Sequence, residues 1–211
     1  MIKVAVTQRV EEVKSYKERR DCIDQRWASL LESFGIEILP VPNSLSDITN
    51  WISGQNINGL ILTGGNDLSH LPDASNLAVE RDVTESLLLD FAKKNNIPVL
   101  GVCRGMQMMN FWLGGKMELV DGHIATEHVV SALPDNLWFD HNFVVNSFHG
   151  WGFKPEQLAP ELVPLVCAGD GTVEAFKHIS LPWFGIMWHP ERDVSISLQD
   201  EKLFKLLFIK N

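Results

Sequence analysis

A cysteine flanked by glycines is the clearest chemical feature of this chain. The apolar segment Pro98 to Val102 leads directly into Cys103, with Gly101 and Gly105 two residues away on either side. Glycines at these positions permit the sharp strand-to-helix turn that holds a nucleophile in a strained backbone conformation. Such a turn would place the sulfur at a helix N-terminus, where the helix dipole favours the thiolate. A buried structural role is the commoner interpretation of a free cysteine, but the flanking glycines favour a nucleophile here.

A histidine and a glutamate follow a second apolar segment, in the sequence Trp188-His-Pro-Glu191. In cysteine-dependent acyl transfer, an imidazole moves the proton between the thiol and the leaving amine, and a carboxylate orients the imidazole. Pro190 fixes a turn that would let the glutamate fold back toward the ring. A lone histidine is more often structural. Combined with the glycine-flanked cysteine, the segment predicts a triad of Cys103, His189 and Glu191.

A pair of adjacent glycines ends a third apolar segment, Ile57 to Asp67. By itself Gly-Gly usually marks only a turn. In an open parallel sheet, however, ligands bind beyond the carboxyl ends of the strands, where all three segments would end. The backbone N–H groups of Gly65 and Arg104 are therefore predicted to form an oxyanion hole.

These segments together resemble the class I glutamine amidotransferase superfamily, and within it the γ-glutamyl hydrolase branch that includes γ-glutamyl-GABA hydrolases. The resemblance implies the Cys-His-Glu triad and the oxyanion donors named above, with no cofactor. It extends over nearly the whole chain in seven fragments: Val4-Ala-Val-Thr-Gln8, Leu62-Thr-Gly-Gly-Asn-Asp67, Arg81-Asp-Val-Thr-Glu85, Cys103-Arg-Gly-Met-Gln107, Val145-Asn-Ser-Phe-His149, Val173-Glu-Ala175 and Trp188-His-Pro-Glu191.

The resemblance further implies that a glutamyl group binds next to the nucleophile. Its α-amino and α-carboxylate groups would be held by Gln107 and by the stretch Ser147, Phe148 and His149. Arginine directly after the nucleophile, as at Arg104, is typical of freestanding hydrolases, whereas ammonia-delivering glutaminases usually carry an apolar or aromatic residue there. We therefore predict a hydrolase that cleaves a small-molecule γ-glutamyl amide through a thioester and needs no obligate synthetase partner. A γ-glutamyl-GABA-type hydrolase and a glutaminase subunit for a separate synthetase remain alternatives.

The resemblance also implies a leaving group, and two further features bear on it. Trp151 stands where the relatives usually carry glutamine, and it could stack on a nucleotide base, although packing within a flexible loop is the commoner role. With the resemblance, this favours a nucleotide amidate as the leaving group, released in the modification of capsule polysaccharide. A run of basic residues after the first predicted strand could meet a pyrophosphate, although a solvated face is the commoner interpretation: Arg9, Lys14, Lys17, Arg19 and Arg20.

Composition restricts the possible classes of protein. The 211 residues, 45% of them hydrophobic, suit a single domain over 1–211, and no apolar run approaches the length of a membrane span. The net charge of −9 argues against nucleic acid as a partner. The chain shows no signal peptide and has three widely spaced cysteines, which predicts a cytoplasmic protein without disulfides. His123, His128 and His141 lack metal-ligand spacing, so no metal is predicted, while a homo-oligomer stays open.

Alternating strand and helix patterns predict how these segments are positioned. The first half should be βαβαβαβ, with strands at 2–7, 36–40, 59–63 and 99–102 and helices at 17–34, 45–53 and 77–94. A helix at 106–113 follows the cysteine. Shorter strands are predicted at 116–120, 127–130, 143–147, 162–168, 172–178 and 184–188, before a closing helix at 197–209. This order predicts an α/β fold that is flavodoxin-like and doubly wound, with a mostly parallel sheet and a β-rich C-terminal part.

Overall fold

A nine-stranded sheet forms the centre of the fold. The computed structural model describes residues 1–72, 74–134 and 136–209. In chain order the strands are β1 (Ile2–Thr7), β2 (Arg9–Val13), β3 (Glu18–Cys22), β4 (Ile36–Val41), β5 (Gly59–Leu62), β6 (Val99–Val102), β7 (Glu118–Leu119), β8 (Ile124–Ala132), β9 (Asn142–Phe148), β10 (Trp151–Gly152), β11 (Leu162–Ala168), β12 (Val173–His178) and β13 (Trp183–Ile186). The α-helices are α1 (Gln25–Ser33), α2 (Ile48–Ser53), α3 (Val79–Asn95), α4 (Arg104–Trp112) and α5 (Leu198–Phe208).

The nine strands lie in the order β4-β1-β5-β6-β13-β12-β11-β8-β9. The strands from β4 to β13 are parallel, and the remaining four alternate in direction. β5, β6 and β13 are short, apolar and buried throughout, as is typical of parallel strands covered on both faces. The parallel part has the strand order 2-1-3-4-5 of flavodoxin-like folds. The predicted doubly wound sheet with a β-rich C-terminal part is thereby confirmed.

Helices cover both faces of the sheet. On one face, α1 and α5 pack through residues such as Trp27 and Phe204 into one apolar core. On the other face, α2, α3 and α4 contribute Ile52, Leu88 and Met106 to a second core. Each helix thus buries an apolar stripe against the strands. This burial leaves the ends of the sheet, and not its faces, as the place for a polar site.

The carboxyl ends of three neighbouring strands meet at one end of the sheet. β6 lies between β5 and β13, and Gly101 is in register with both Leu62 and Gly185. The segments predicted to do chemistry follow directly after these strands. The parallel arrangement therefore brings Cys103 and His189 to the same end of the sheet.

The predicted helix over 17–34 is wrong in its first half. The residues there form β3, which pairs with β2 as an antiparallel hairpin, and α1 begins only at Gln25. Asp24 caps that helix, because its side chain accepts a hydrogen bond from a backbone N–H of the first turn. Asp21 in β3 accepts hydrogen bonds from the backbone and side-chain N–H groups of Asn43. Such contacts between distant segments override a helical pattern that the local sequence suggests.

The other predicted elements agree with the structure to within a few residues, except around Trp151. That residue lies in the two-residue strand β10, which pairs with β7, and not in the predicted loop. Among the described residues, no helix combines the length and the apolar character that crossing a membrane requires. That residues 1–211 form one domain stays a prediction.

Candidate active site

Cys103 occupies the turn between β6 and α4. Its φ of 52° lies in the left-handed region, which a residue other than glycine rarely adopts. Close packing explains the flanking glycines: a Cβ at Gly105 would clash with the Leu62 carbonyl oxygen, and one at Gly101 would lie 2.5 Å from Met109 Sδ. The two glycines thus let α4 lie directly against the strands and hold the cysteine in its strained conformation.

His189 and Glu191 lie side by side beyond the end of β13. A single 3₁₀ turn that begins at Pro190 brings Glu191 Oε1 within 2.7 Å of His189 Nδ1. Both side chains are buried. The Asn146 side chain accepts a hydrogen bond from His189 N–H and donates one to His189 C=O, which ties the histidine to β9. Because Nδ1 is bonded to the carboxylate, Nε2 is the nitrogen that can exchange a proton with a reactant.

His189 and Cys103 lie together beside Gly64. A Cβ at Gly64 would lie 2.6 Å from His189 Cε1 and 3.5 Å from Cys103 Cβ, so a side chain there would push the pair apart. Burial by itself lowers the pKa of His189, but the negative charges of Cys103 and Glu191 outweigh it and raise this pKa to about 9. The imidazole is therefore protonated at neutral pH.

The turn at Gly64 and Gly65 is held from behind by a buried arginine. Arg81 donates hydrogen bonds to the carbonyl oxygens of Thr63 and Gly64, at 2.6 and 3.1 Å, and to that of Gly65. A trans peptide directs its N–H opposite to its C=O. The Gly65 N–H, which shares its peptide with the Gly64 carbonyl, therefore points away from Arg81. Its predicted role as an oxyanion donor stays a prediction.

Arg81 belongs to a buried cluster of charges centred on Glu85. The Glu85 carboxylate accepts hydrogen bonds from Arg81 Nε at 2.9 Å, from Thr7 Oγ1 at 2.7 Å and from the Arg104 guanidinium, which also pairs with Asp82. Burial by itself would raise the pKa of Glu85, but the two arginines lower it below its usual value. The Arg104 side chain is thus committed to this cluster. Its backbone N–H stands in the first turn of α4, where no intrahelical acceptor exists.

Three of the predicted substrate-binding residues meet at one carbonyl group. Gln107 Nε2 donates to Trp151 C=O at 2.8 Å, and His149 Nδ1 lies 3.0 Å from the same oxygen. The Trp151 side chain is half-buried and packs against the apolar core. The Trp151 carbonyl group thus fixes Gln107 and His149, and contact of its side chain with a substrate stays a prediction.

The other two predicted substrate-binding residues face in different directions. The Ser147 hydroxyl is fully buried and donates to the His123 carbonyl oxygen at 2.7 Å. Phe148 is 41% exposed, and its ring meets the His189 ring edge to face, with 5.7 Å between centroids. Phe148 is thus the residue of this stretch that a ligand beside His189 would contact.

The predicted basic run lies on the β2–β3 hairpin, where much of its charge is neutralised. Arg19 and Arg20 form ion pairs with carboxylates. Arg9 pairs with Glu11 at 3.0 Å, and its side chain lies against Gly65. Contact of this run with a pyrophosphate stays a prediction. Arg9 is the residue of the run that lies against the Gly64-Gly65 turn.

A cavity of about 450 Å³ opens beside Phe148. Its charged lining consists of two arginines, Arg26 and Arg192, and two carboxylates, Glu127 and Asp193. The Arg192 guanidinium lies 4.3 Å from the centroid of the Phe148 ring. Because this ring also contacts His189, the cavity adjoins the predicted catalytic residues.

Sequence reasoning left several of these residues without a role. Asn146 and Gly64 lie inside fragments that carried the family resemblance, so their positions offered a signal. Arg26 and Arg192 offered none, because the cavity that they line forms between segments distant in the sequence.

Similarity to known proteins identifies the family. A family model described as Peptidase C26 matches residues 1–191. This chain belongs to the peptidase C26 family. It is 34% identical over 192 residues, 90% of each chain, to the gamma-glutamyl-CDP-amidate hydrolase of Campylobacter jejuni. It is also 34% identical over 176 residues to Protein NtpR of Enterococcus hirae, which covers 70% of this chain and 72% of that one.

A solved structure shares the fold of this peptidase C26 protein. The crystal structure of a putative GMP synthase subunit from Thermoplasma acidophilum matches with a TM-score of 0.71. The match covers 98% of this chain and 92% of that one, at 18% sequence identity, and so concerns the fold alone. The predicted membership of the class I glutamine amidotransferase-like superfamily and the resemblance to its γ-glutamyl hydrolases are confirmed.

Proposed function

We propose that this protein hydrolyses a γ-glutamyl amide through a covalent thioester on Cys103. The observation that carries the proposal is the strained cysteine beside the hydrogen-bonded pair of His189 and Glu191. A nucleophile, a base and a carboxylate that orients the base are the parts that acyl transfer requires. Membership of the family and similarity to the C. jejuni hydrolase support a γ-glutamyl group as the acyl part.

The reaction has two halves that use the same residues. The Cys103 thiolate first adds to the γ-carbonyl carbon, and the C–N bond then breaks as His189 gives its proton to the departing nitrogen. In the second half His189 takes a proton from water, the hydroxyl adds to the thioester, and the C–S bond breaks. Glutamate leaves and the thiolate is restored. Glu191 keeps the imidazole in the required orientation throughout.

Two backbone N–H groups, of Gly65 and Arg104, hold the oxyanion in this mechanism. Arg81 bonds the carbonyl oxygen of Gly64, which orients and polarises the peptide that carries the Gly65 N–H. The Arg104 N–H has no competing acceptor within its helix. A preorganised donor of this kind typically contributes about 100- to 1000-fold to kcat.

The glutamyl group lies, in our proposal, against Gln107 and the stretch from Ser147 to His149. The hydrogen bonds of Gln107 and His149 to Trp151 C=O support this wall, since they fix both side chains in place. Trp151 then contributes to the shape of the site. Phe148, exposed beside His189, lies where the glutamyl group and the leaving group would join.

We further propose that the leaving group is a nucleotide amidate, as in the γ-glutamyl-CDP-amidate for which the C. jejuni relative is named. The cavity beside Phe148 offers matching chemistry: Arg192, with Arg26 in an ion pair with Asp24 beside it, suits phosphate oxygens, and the carboxylates of Glu127 and Asp193 suit the amino group of a base. In such a substrate the phosphorus withdraws electron density from the departing nitrogen. That nitrogen needs less help from an acid than an alkylamine does.

This proposal describes a freestanding cytoplasmic enzyme that serves the modification of capsule polysaccharide. Arg104 after the nucleophile supports a hydrolase over an ammonia-delivering protein. No obligate synthetase partner is then required.

A panel of substrates tests the proposal. kcat/KM is measured for glutamine, γ-glutamyl-GABA and γ-glutamyl-CDP-amidate, with release of glutamate as the common readout. We expect a preference for the nucleotide amide of at least about tenfold, which takes only about 1.4 kcal/mol of differential transition-state binding. Comparable efficiency on γ-glutamyl-GABA would contradict the nucleotide leaving group and retain the hydrolase. Glutaminase activity that rises when a synthetase is added would replace the proposal with the amidotransferase alternative.

A further inference from the structure

Three histidines surround one buried glutamate in the antiparallel half of the sheet. Glu174, on β12, is fully buried, and its Oε1 lies 3.4 Å from His123 Nδ1, 3.7 Å from His128 Nε2 and 3.4 Å from His149 Nε2. His123 precedes β8, His128 lies on β8 and His149 follows β9. Strand pairing thus brings these side chains together, although Glu174 is distant in the sequence from the histidines.

The atoms at the centre of this cluster lack hydrogen bonds. Both carboxylate oxygens of Glu174 and the facing nitrogens of His123, His128 and His149 are buried without a hydrogen-bond partner in the part of the chain that the structure describes. Charge-assisted hydrogen bonds to a carboxylate are shorter than these contacts, at about 2.7–2.9 Å. Unpartnered buried polar atoms cost free energy. Five of them in one place indicate that something other than protein completes the cluster.

Two of the histidines direct one ring nitrogen at Glu174 and bond an oxygen through the other. His149 Nδ1 lies 3.0 Å from the Trp151 carbonyl oxygen, which can only accept, so Nδ1 donates and Nε2 faces Glu174. His123 Nε2 lies 3.3 Å from Asp170 Oδ2, so a neutral ring that donates there would present its Nδ1 lone pair toward Glu174. Metal-binding histidines almost always bond a carboxylate or a carbonyl through the other ring nitrogen.

The contacts of His123 and His128 with Glu174, at 3.4 and 3.7 Å, are close to the spacing of ligands around a tetrahedral ion. Ligand atoms about 2.1 Å from a zinc ion, at the corners of a tetrahedron, lie about 3.4 Å apart. The ligand atoms of His123, His128 and Glu174 all lie within 4.8 Å of one another. We propose that these three residues bind a divalent transition-metal ion. Imidazole and carboxylate donors in this number favour Zn²⁺.

The ion would fix the segment that lines the active site. His149 and Gln107 share the Trp151 carbonyl oxygen, and Ser147 Oγ donates to the His123 carbonyl oxygen. An ion held by His123 therefore restrains Ser147 at the end of β9, and His149 lies beside it, 3.4 Å from Glu174 Oε1. Three protein ligands leave one tetrahedral position, which water can fill. Ligand spacing along the chain does not reveal such a site, because Glu174 lies on β12, distant in the sequence from the two histidines.

A metal-free network of ions is the competing explanation. Burial by itself would raise the pKa of Glu174, but the three imidazoles lower it, and Glu174 in turn raises the pKa of His123. A carboxylate among protonated histidines would account for its burial. It would not account for contacts too long for charge-assisted hydrogen bonds. The two explanations differ in a direct measurement of metal binding.

The test uses the full-length protein after dialysis against EDTA. ZnCl₂ is titrated by isothermal calorimetry, and CoCl₂ by the visible absorption that tetrahedral cobalt acquires in a nitrogen and oxygen site. We expect one equivalent of either ion to bind. At a hundredfold excess of Zn²⁺ over its Kd, Tm should rise by about 5–10 °C. None of these readouts depends on catalysis, so the outcome is independent of the proposed function.

Two variants and two controls locate the ion. His128→Gln removes a ligand whose side chain is 18% exposed, and Asp170→Asn removes the carboxylate that orients His123. Zn²⁺ affinity should fall by at least about tenfold in each. His141→Gln, at an exposed histidine, should bind as the wild type does. Cys103→Ser is the control for zinc held by the active-site thiolate. It should bind Zn²⁺ as the wild type does, because Cys103 is not a ligand of the proposed site.

Three outcomes would overturn the metal site. They are binding that survives both His128→Gln and Asp170→Asn, binding that is lost in Cys103→Ser, and wild-type binding far below one equivalent. Far-UV circular dichroism of each metal-free variant checks the fold. If His128→Gln is unfolded, Asp170→Asn decides, because its side chain is 44% exposed and supplies no ligand.

Discussion

Besides the proposed catalytic residue Glu191, each half of the sheet packs against one buried glutamate, Glu85 or Glu174, and the surroundings of the two differ. In the parallel half, Glu85 accepts hydrogen bonds from two arginines and a threonine. In the antiparallel half, Glu174 has imidazole nitrogens at 3.4–3.7 Å, and its oxygens lack hydrogen-bond partners among the described residues. A buried carboxylate must be compensated, because removing its charge from water is costly. Side chains of the protein compensate the charge of Glu85, whereas a bound ion would compensate the charge of Glu174.

The difference corresponds to what each cluster supports. Glu85 and its arginines hold the Gly64-Gly65 turn and the start of α4, the parts that the covalent step would use. Glu174 lies behind Trp151 and Gln107, in the part proposed to hold the substrate. One part of the site is therefore held by ion pairs within the chain, while the part proposed to hold the substrate would depend on the supply of a metal.

The largest effect is expected at Cys103, which the parallel half of the sheet holds in place. Cys103→Ala should lower kcat/KM by about 10³-fold or more, because it removes the nucleophile and leaves both glutamate clusters intact. Steady-state kinetics measure the loss, and a thermal melt checks that the fold is retained. A glutamine-analogue electrophile should add its mass to the wild type and not to Cys103→Ser. More than a few per cent of wild-type activity in Cys103→Ala would contradict the covalent mechanism.

Substitution of each glutamate tests the comparison itself. Glu85→Gln should lower the free energy of unfolding by about 3–5 kcal/mol, because it leaves Arg81 and Arg104 buried with too little negative charge. Glu174→Gln, measured in EDTA, should cost about 1 kcal/mol or less, since its carboxylate has no hydrogen bond to lose. Urea denaturation measures both. Equal losses would abolish the distinction between the two clusters.

The pH dependence of catalysis tests the pair of His189 and Glu191. In this pair, unlike at Glu174, the imidazole and the carboxylate are hydrogen-bonded. The His189 pKa of about 9 predicts that kcat/KM falls as pH rises through 9, when the proton for the leaving nitrogen is lost. Glu191→Gln should move this limb to lower pH, with a milder loss of activity than Cys103→Ala. An unchanged limb would show that Glu191 does not set this pKa, and a variant as inactive as Cys103→Ala would indicate a structural role.

The same pKa affects stability with a definite sign. The folded-state pKa of His189 lies above its ordinary value of 6.5, so the imidazolium stabilises the fold fully below about pH 6.5. This contribution is lost as pH rises from 6.5 through 9. The difference in unfolding free energy between the wild type and Glu191→Gln should therefore shrink across that window, as urea denaturation at several pH values would measure.

The smallest effects are expected at the aromatic residues on either side of the antiparallel wall. Phe148→Ala should lower kcat/KM for the nucleotide substrate by roughly two- to tenfold and spare a small γ-glutamyl amide, since stacking on a base is worth about 0.5–1.5 kcal/mol. Trp151→Ala should lower kcat/KM equally for the two substrates, because Trp151 packs against the core. Added salt should lower kcat/KM for the nucleotide substrate only. If Trp151→Ala lowers kcat/KM for the nucleotide substrate only, Trp151 and not Phe148 contacts the base.

Local sequence was enough to predict the parts of the site that depend on contiguous residues. A positive φ at Cys103 follows from the glycines around it, and the contact between His189 and Glu191 follows from the proline between them. The parallel strands were predictable because they are short apolar runs that must be buried on both faces. In each case the interactions that determine the conformation lie within a few residues of one another.

Tertiary structure alone decided the rest, because pairing between segments distant in the sequence leaves no local signal. Residues 17–22 carry a helical pattern, yet Glu18–Cys22 pair with β2 as a hairpin. Asn146 reaches His189 only because β9 lies close to the end of β13. The histidines around Glu174 lack metal spacing along the chain, and only the alignment of β8, β9 and β12 places their nitrogens around one carboxylate.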